Sequence, residues 1–224
     1  NPSKERLYEV VGGLSAALAK QFHSNLVHVG GDELLYSCWE GNRDVQKWAE
    51  NMKISGGAQG MLAHFSKRVS QFAQAAKKSS VRWEEAADVL GSGFKFPAED
   101  VFQIWYGEQN RVYQALNGGY RVVNSLVGKW YLDFPRKWQD IYNYDPLEVI
   151  PGDLRSSKSH LMIGGEINTW SEKVDADNLD STIWPMGTVL AESLCFVLFC
   201  VLCFVFFKTF FFFYLKRDLE HQNT

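Results

Sequence analysis

Cysteine is scarce: of the four in the chain, only Cys38 precedes residue 194. One thiol there cannot build a disulfide framework, and no two-pair arrangement of Cys and His suggests a structural zinc. Phosphate-cradling glycine signatures are missing too. Neither G-x-G-x-x-G nor G-x-x-x-x-G-K-[ST] occurs, so no nucleotide site is indicated. An excess of positive charge is also absent. Lys and Arg total 23 against 26 Asp and Glu, a net charge of −3, which excludes a protein built mainly to hold nucleic acid. There is no N-x-[ST] glycosylation signal. The polar opening Asn1-Pro2-Ser3-Lys4-Glu5 is no signal peptide. It also lacks an initiating Met, so the true N-terminus is expected upstream. Disorder is excluded for the whole chain by 46% hydrophobic and 22% charged residues. No metal or organic cofactor is implied.

What is present divides in two. Nine of the 16 Phe and three of the four Cys fall between Leu194 and Leu215, whereas all eight Trp lie earlier. The expected organisation is a globular part, 1–192, and an apolar Phe/Cys-rich tail, 193–224. Residues 194–215 carry one charge, Lys208, and would reach across a bilayer as a helix. Lys216-Arg217 would be its cytoplasmic flank. The alternative is that the Phe210–Phe213 run is translation past a gene boundary and no evolved structure at all. Membrane association depends on the first reading.

Helical and strand patterns alternate through the globular part. Leu7, Val10, Leu14 and Leu18 predict an amphipathic helix over 4–20. Val45, Trp48, Ala49 and Met52 predict a second. Met61, Leu62, Phe65, Val69, Phe72 and Ala76 predict a third, and Val112, Ala115 and Leu116 a fourth closed by Gly118-Gly119. A last helix is expected over 181–192. Strands are expected over 25–31, 80–84, 101–106, 120–126 and 161–167. Such alternation means crossover connections and a parallel sheet. The fold is therefore α/β, either an open doubly wound sheet or a closed barrel. Acids and aromatics gather at the inferred strand ends: Asp32-Glu33, Trp83-Glu84-Glu85, Trp105-Tyr106, Trp130-Tyr131 and Trp170-x-Glu172. A (β/α)8 barrel enzyme gathers its catalytic groups in this way. Only five strands are legible against eight, so the barrel is expected to be incomplete.

In Val27-His28-Val29-Gly30-Gly31-Asp32-Glu33, strand alternation would put His28, Gly30 and Asp32 in phase. The two glycines would let other atoms approach closely. Adjacent acids cannot easily flank a sugar from opposite faces, as an ordinary retaining pair does. One could still protonate a leaving group while the other steadies a nucleophile belonging to the substrate. The plainer alternative is that Asp-Glu opens a helix. Trp83, Trp105, Trp130 and Trp170, at equivalent points of the alternation, would form a box for apolar sugar faces or a methyl group, or else pack in the core. Trp48 and Trp138 are assigned to packing.

His28-Val29-Gly30-Gly31-Asp32-Glu33, Cys38-Trp39, Trp83-Glu84-Glu85, Trp130-Tyr131-Leu132-Asp133 and Gly164-Gly165-Glu166…Trp170-Ser171-Glu172 together resemble the β-N-acetylhexosaminidases of glycoside hydrolase family 20, in order over residues 1–192. The resemblance implies a (β/α)8 TIM barrel of which about strands four to eight are here. It implies removal of terminal N-acetylglucosamine or N-acetylgalactosamine from glycans with retention, the substrate's own acetamide oxygen attacking to give an oxazolinium intermediate. It implies Glu33 as general acid and then base. Asp32 would orient the acetamide, and Tyr131 would donate to its oxygen. Trp83, Trp105 and Trp170 would box the sugar, Asp133 and Glu172 would bind hydroxyls, and His28 would support the acids. A lysosomal or secreted address and a homodimer come with the resemblance. An inactive fragment and a membrane-tethered glycan-binding protein are the competing readings. The family's upstream arginine is missing. The usual Trp-Pro-Arg reads Trp184-Pro185-Met186 here, and Ala-Glu-Arg-Leu-Trp is replaced after Ala191-Glu192. In secreted relatives the cysteine matching Cys38 commonly bridges upstream, where this chain has none.

Overall fold

The computed structural model describes residues 1–195. The expected membrane span, 194–215, lies outside the described residues apart from its first two positions. No helix of the described residues is long and apolar enough to cross a membrane. The chain separates into two compact units, 1–103 with 108–121, and 104–107 with 122 onward.

The first unit begins with helix α1 (Glu5–Gln21). Strand β1 (Leu26–His28) follows, then helices α2 (Tyr36–Glu40), α3 (Arg43–Asn51) and α4 (Gly57–Ala75). Strand β2 (Ser79–Trp83) leads into a 3-10 helix over Glu84–Ser92, then β3 (Val101–Ile104) and α5 (Gln109–Asn117). β1 pairs with β2, and β2 with β3, all parallel, with Trp83 opposite Gln103. Parallel neighbours need crossovers, and the helices supply them.

α1 forms as its spacing predicts but does not bury the predicted stripe. Val10 and Leu14 are 55% and 57% exposed, whereas Tyr8 and Ser15 are buried. The cause lies in α4. Tyr8 meets Phe65 with ring centroids 5.9 Å apart and carries the Arg68 guanidinium 3.6 Å over its ring. A side chain at Gly12 would come within 3.1 Å of the Phe72 ring. The bare backbone at Gly12 therefore sets which face of α1 turns inward.

β2 departs from simple alternation, because Ser80 to Trp83 are all buried, as in a sheet covered on both faces. Arg82 is buried against Asp100, with Nη2 to Oδ2 2.5 Å. It also donates to Ser70 Oγ at 3.0 Å, and its guanidinium lies 4.0 Å over the Phe96 ring. The Ser80 N–H donates to Asp100 Oδ1 at 3.0 Å. Desolvation lowers the Arg82 pKa and raises that of Asp100, opposed by their mutual attraction.

The second unit holds β4 (Arg121–Asn124) and β5 (Met162–Gly165), parallel, with a register irregularity between Val122 and Val123. Its helices are α6 (Val127–Trp130), α7 (Trp138–Tyr142), α8 (Gly152–Lys158), α9 (Leu179–Ile183) and α10 (Met186–Cys195). Trp130, Ile141, Tyr144 and Leu190 form its core, with Leu194 packed against them. A Cβ at Gly165 would sit 2.3 Å from Trp130, so this glycine lets a whole indole lie on the strand.

Two expectations are corrected here. The helix expected over 181–192 is broken. Pro185 has no N–H to continue α9, and Trp184 is extended at φ −102°, ψ 136°. Trp138 is not packed away but 49% exposed. Four of the strands are also shorter than the sequence suggested, whereas β2 has the expected five residues, shifted by one position.

Candidate active site

The first unit presents the acids. β1 stops at His28, three residues short of the expected strand end, so strand alternation does not carry His28, Gly30 and Asp32 onto one face. The chain turns instead. Gly30 and Gly31 have φ of 70° and 107°, and Glu33 itself has φ 51°. This also corrects the reason for the glycines. A Cβ would meet its nearest neighbours at 3.8 Å for Gly30 and 4.0 Å for Gly31, ordinary contact distances. The left-handed backbone, not close approach, favours glycine at both positions. A left-handed Glu is costly and typical of functional sites.

The turn is held from several sides. Val29 N–H donates to the Val81 carbonyl at 2.8 Å, and Trp83 N–H to the Gly30 carbonyl at 3.1 Å. Gly30 N–H donates to His28 Nδ1 at 3.0 Å, and His28 Nε2 lies 3.0 Å from Gln103 Oε1. The imidazole packs on Trp83 with centroids 4.9 Å apart. Burial pushes the His28 pKa down to about 4, against the Gln103 hydrogen bond and the Asp32 charge. The ring is therefore neutral at physiological pH. Glu33 N–H points toward Glu85 Oε1 at 3.5 Å, a marginal bond. Asp32 and Glu33 are both exposed, on one turn. Beyond it, Tyr36 Oη donates to Asp88 Oδ2 at 3.1 Å, and Arg111 clamps the same carboxylate at 2.7 and 3.0 Å. That pair ties the segment after the acids to α5 and the 3-10 helix. Glu84 is buried and accepts the Glu108 N–H at 3.1 Å.

The second unit presents the rings. Trp105 stacks near Tyr131, centroids 6.3 Å apart and planes at 27°, and Tyr131 lies 6.3 Å from Trp170 at 35°. Asp133 Oδ1 accepts the Trp170 N–H at 3.1 Å, which fixes the row's end. Burial pushes the Tyr131 hydroxyl up to about 12, against the pull of Asn168 and Trp170, so it stays protonated and able to donate. Trp170 is 40% exposed. Glu172 is exposed close by in sequence.

Each unit thus brings together part of the expected set: His28, Asp32, Glu33 and Trp83 in the first, Trp105, Tyr131, Asp133 and Trp170 in the second. Trp130 does not join the row. It is fully buried and shares the second unit's core with Tyr144. No cluster of His, Cys, Asp and Glu among the described residues could hold a metal ion. Cys38 is free and exposed. Gln103 went unnoticed in the sequence, although a lone amide in the run Val101-Phe102-Gln103-Ile104 was a usable signal. A buried polar group needs a partner.

The chain matches known proteins. The description "Glycosyl hydrolase family 20, catalytic domain" fits residues 1–195, and the chain belongs to that family. Beta-hexosaminidase subunit B2 of Dictyostelium discoideum is 32% identical over 200 residues, covering 87% of this chain and 34% of the relative. Beta-hexosaminidase 1 of Arabidopsis thaliana is 30% identical over 193 residues, covering 86% and 34%. The chain therefore spans about a third of the length of these curated relatives. Among solved structures, the GH20 exo beta-N-acetylglucosaminidase from Vibrio harveyi in complex with N-acetylglucosamine superposes with a TM-score of 0.72 at 23% identity, over 87% of this chain and 32% of that one. This likeness shows a shared fold.

Proposed function

We propose that this chain is the acid-bearing part of a β-N-acetylhexosaminidase, which removes terminal N-acetylglucosamine or N-acetylgalactosamine from glycans with retention. One observation carries the reading: Asp32 and Glu33 are neighbours on a single exposed turn. Such a pair does not reach both faces of a sugar, so the attacking oxygen has to come from elsewhere. The substrate's acetamide supplies it.

In the first step the acetamide carbonyl oxygen bonds to the anomeric carbon as the glycosidic C–O bond breaks. Glu33 gives its proton to the departing oxygen. Asp32 accepts a hydrogen bond from the acetamide N–H and balances the positive charge of the oxazolinium ring. Tyr131 donates to the acetamide oxygen, a role that suits a hydroxyl whose pKa burial raises to about 12. In the second step water bonds to the anomeric carbon as the bond from that carbon to the oxazolinium oxygen breaks, which restores the acetamide, and Glu33 takes the water's proton. Two inversions give net retention. Through family membership, Trp83 of the first unit and Trp105 and Trp170 of the second are proposed as the rings for the methyl group and the sugar face, and Asp133 and Glu172 as the groups for hydroxyls. His28 supports the acid turn and stays neutral throughout. A lysosomal or secreted address and a homodimer enter this proposal through family membership alone.

The test is turnover of a chromogenic N-acetylglucosaminide by the folded chain and by Glu33→Gln. Turnover by the wild type, lost by a factor of about 10² to 10⁴ in the variant, supports the proposal. A folded wild type without turnover favours the second reading, an inactive family fragment. The one-third coverage of the curated relatives is the observation behind that alternative.

A further inference from the structure

We propose that Gln103 is a positioning residue for the acid turn: its side-chain carbonyl holds His28 in the neutral Nε2–H tautomer, so that Nδ1 accepts the Gly30 N–H and fixes the backbone presenting Asp32 and Glu33. The inference rests on the reading of those two residues as the acid pair.

The relay follows from donor and acceptor counting. Gly30 N–H can only donate, and it points at His28 Nδ1 from 3.0 Å. Nδ1 therefore carries no proton, and in a neutral ring the proton sits on Nε2. Nε2–H then needs an acceptor, and Gln103 Oε1 stands 3.0 Å away. The opposite tautomer would set Nδ1–H against Gly30 N–H, and a doubly protonated ring would do the same. Gln103 is well placed to hold this arrangement. It is buried on β3, directly opposite Trp83 in register, and Trp83 itself packs on the imidazole. An amide suits the position better than a carboxylate. It accepts without adding charge, so the ring is not drawn toward the imidazolium. Burial holds the His28 pKa at about 4, with Asp32 raising it and Arg82 lowering it. The consequence reaches the acids because Gly30, Gly31 and Glu33 all have positive φ. A turn in that conformation needs external restraint, and the Gly30 N–H bond is part of it.

Two readouts test the relay on the full chain, with histidine labelled by 15N. Long-range proton–nitrogen correlation at pH 7 is expected to show His28 with an unprotonated Nδ1 and a protonated Nε2. Gln103→Leu is expected to give tautomer-averaged nitrogens and a fall in kcat of up to about a hundredfold on an aryl N-acetylglucosaminide, with KM within about twofold. Gln103→Glu keeps an acceptor oxygen. It is expected to keep the tautomer, raise the His28 pKa and recover most of kcat near neutral pH. A folded Gln103→Leu with an unchanged tautomer overturns the proposal, as does a changed tautomer with undiminished kcat in an active protein. Should Gln103→Leu fail to fold, Gln103→Glu decides: an unmoved His28 pKa overturns the relay. If the wild type turns over no substrate, the enzymatic reading fails on its own, and the tautomer readout still judges the relay.

Discussion

The two units hold their polar side chains by different physics. In the first, charge is used freely. Arg82–Asp100 is sealed in the core, and Arg111–Asp88 is half-buried with Tyr36 hydrogen-bonded to it. The acid turn itself runs through positive φ. In the second unit the core is aromatic, with Trp130 on Tyr144, and the end of β4 is held by an amide: Asn124 donates to Tyr144 Oη at 3.1 Å and to the Pro146 carbonyl at 2.9 Å, while one carboxylate, Glu166, is buried just after β5. The division suits the chemistry proposed. A proton-transferring carboxylate needs a fixed backbone and a controlled field, which hydrogen-bonded charges provide. A box for a sugar face needs flat, partly desolvated rings, and the carboxylate beside them, Asp133, is held by the Trp170 N–H.

The contrast can be broken at four points, in descending size. Asp100→Ala leaves Arg82 buried without its partner. Denaturant unfolding should report a loss of about 3–5 kcal/mol, and a loss below about 1 kcal/mol would remove charge from the account of the first unit's stability. Asp32→Asn keeps shape and removes the charge proposed to balance the oxazolinium. Its kcat on an N-acetylglucosaminide should fall by about 10² to 10³, with the melting temperature nearly unchanged. Acid should weaken the first unit through His28. Its folded pKa of about 4 lies below the ordinary 6.5, so the unfolded chain binds the extra proton first. The stabilisation is complete above about pH 6.5, declines as pH falls, and is gone below about pH 4, a total on the order of 3 kcal/mol. Urea midpoints across that window should fall in the wild type and fall less in His28→Asn. The smallest effect is expected at Asn42, which caps α3 by accepting from the N–H groups of Asp44 and Val45 at 3.0 and 3.2 Å. Asn42→Ala should cost about 1 kcal/mol, as a control that touches neither carboxylates nor rings.

Much of this was legible in the sequence wherever one residue type carried one physical meaning. The 61–76 periodicity gave α4, and the polar residues ending each apolar run marked the rim. What stayed hidden depended on partners distant in sequence. The inward face of α1 was set by Phe72 meeting Gly12, not by its own leucines. The burial of Arg82 required Asp100, 18 residues away. Trp130 shared the sequence context of the other rim tryptophans, yet Gly165 opened a slot that drew it into the core. Gly30 and Gly31 were noticed, but their reason was not. Pattern shows that a glycine is wanted, and only backbone angles show whether space or conformation wants it.

The central claim is that the acids serve a reactant bringing its own nucleophile. It is tested most directly with a matched pair of aryl β-glycosides, identical except for acetamide or hydroxyl at C2. The account predicts turnover of the acetamide sugar alone, abolished by Glu33→Gln. Comparable turnover of both sugars, each lost in Glu33→Gln, would contradict it, because an oxygen of the protein or of water would then be doing the attacking.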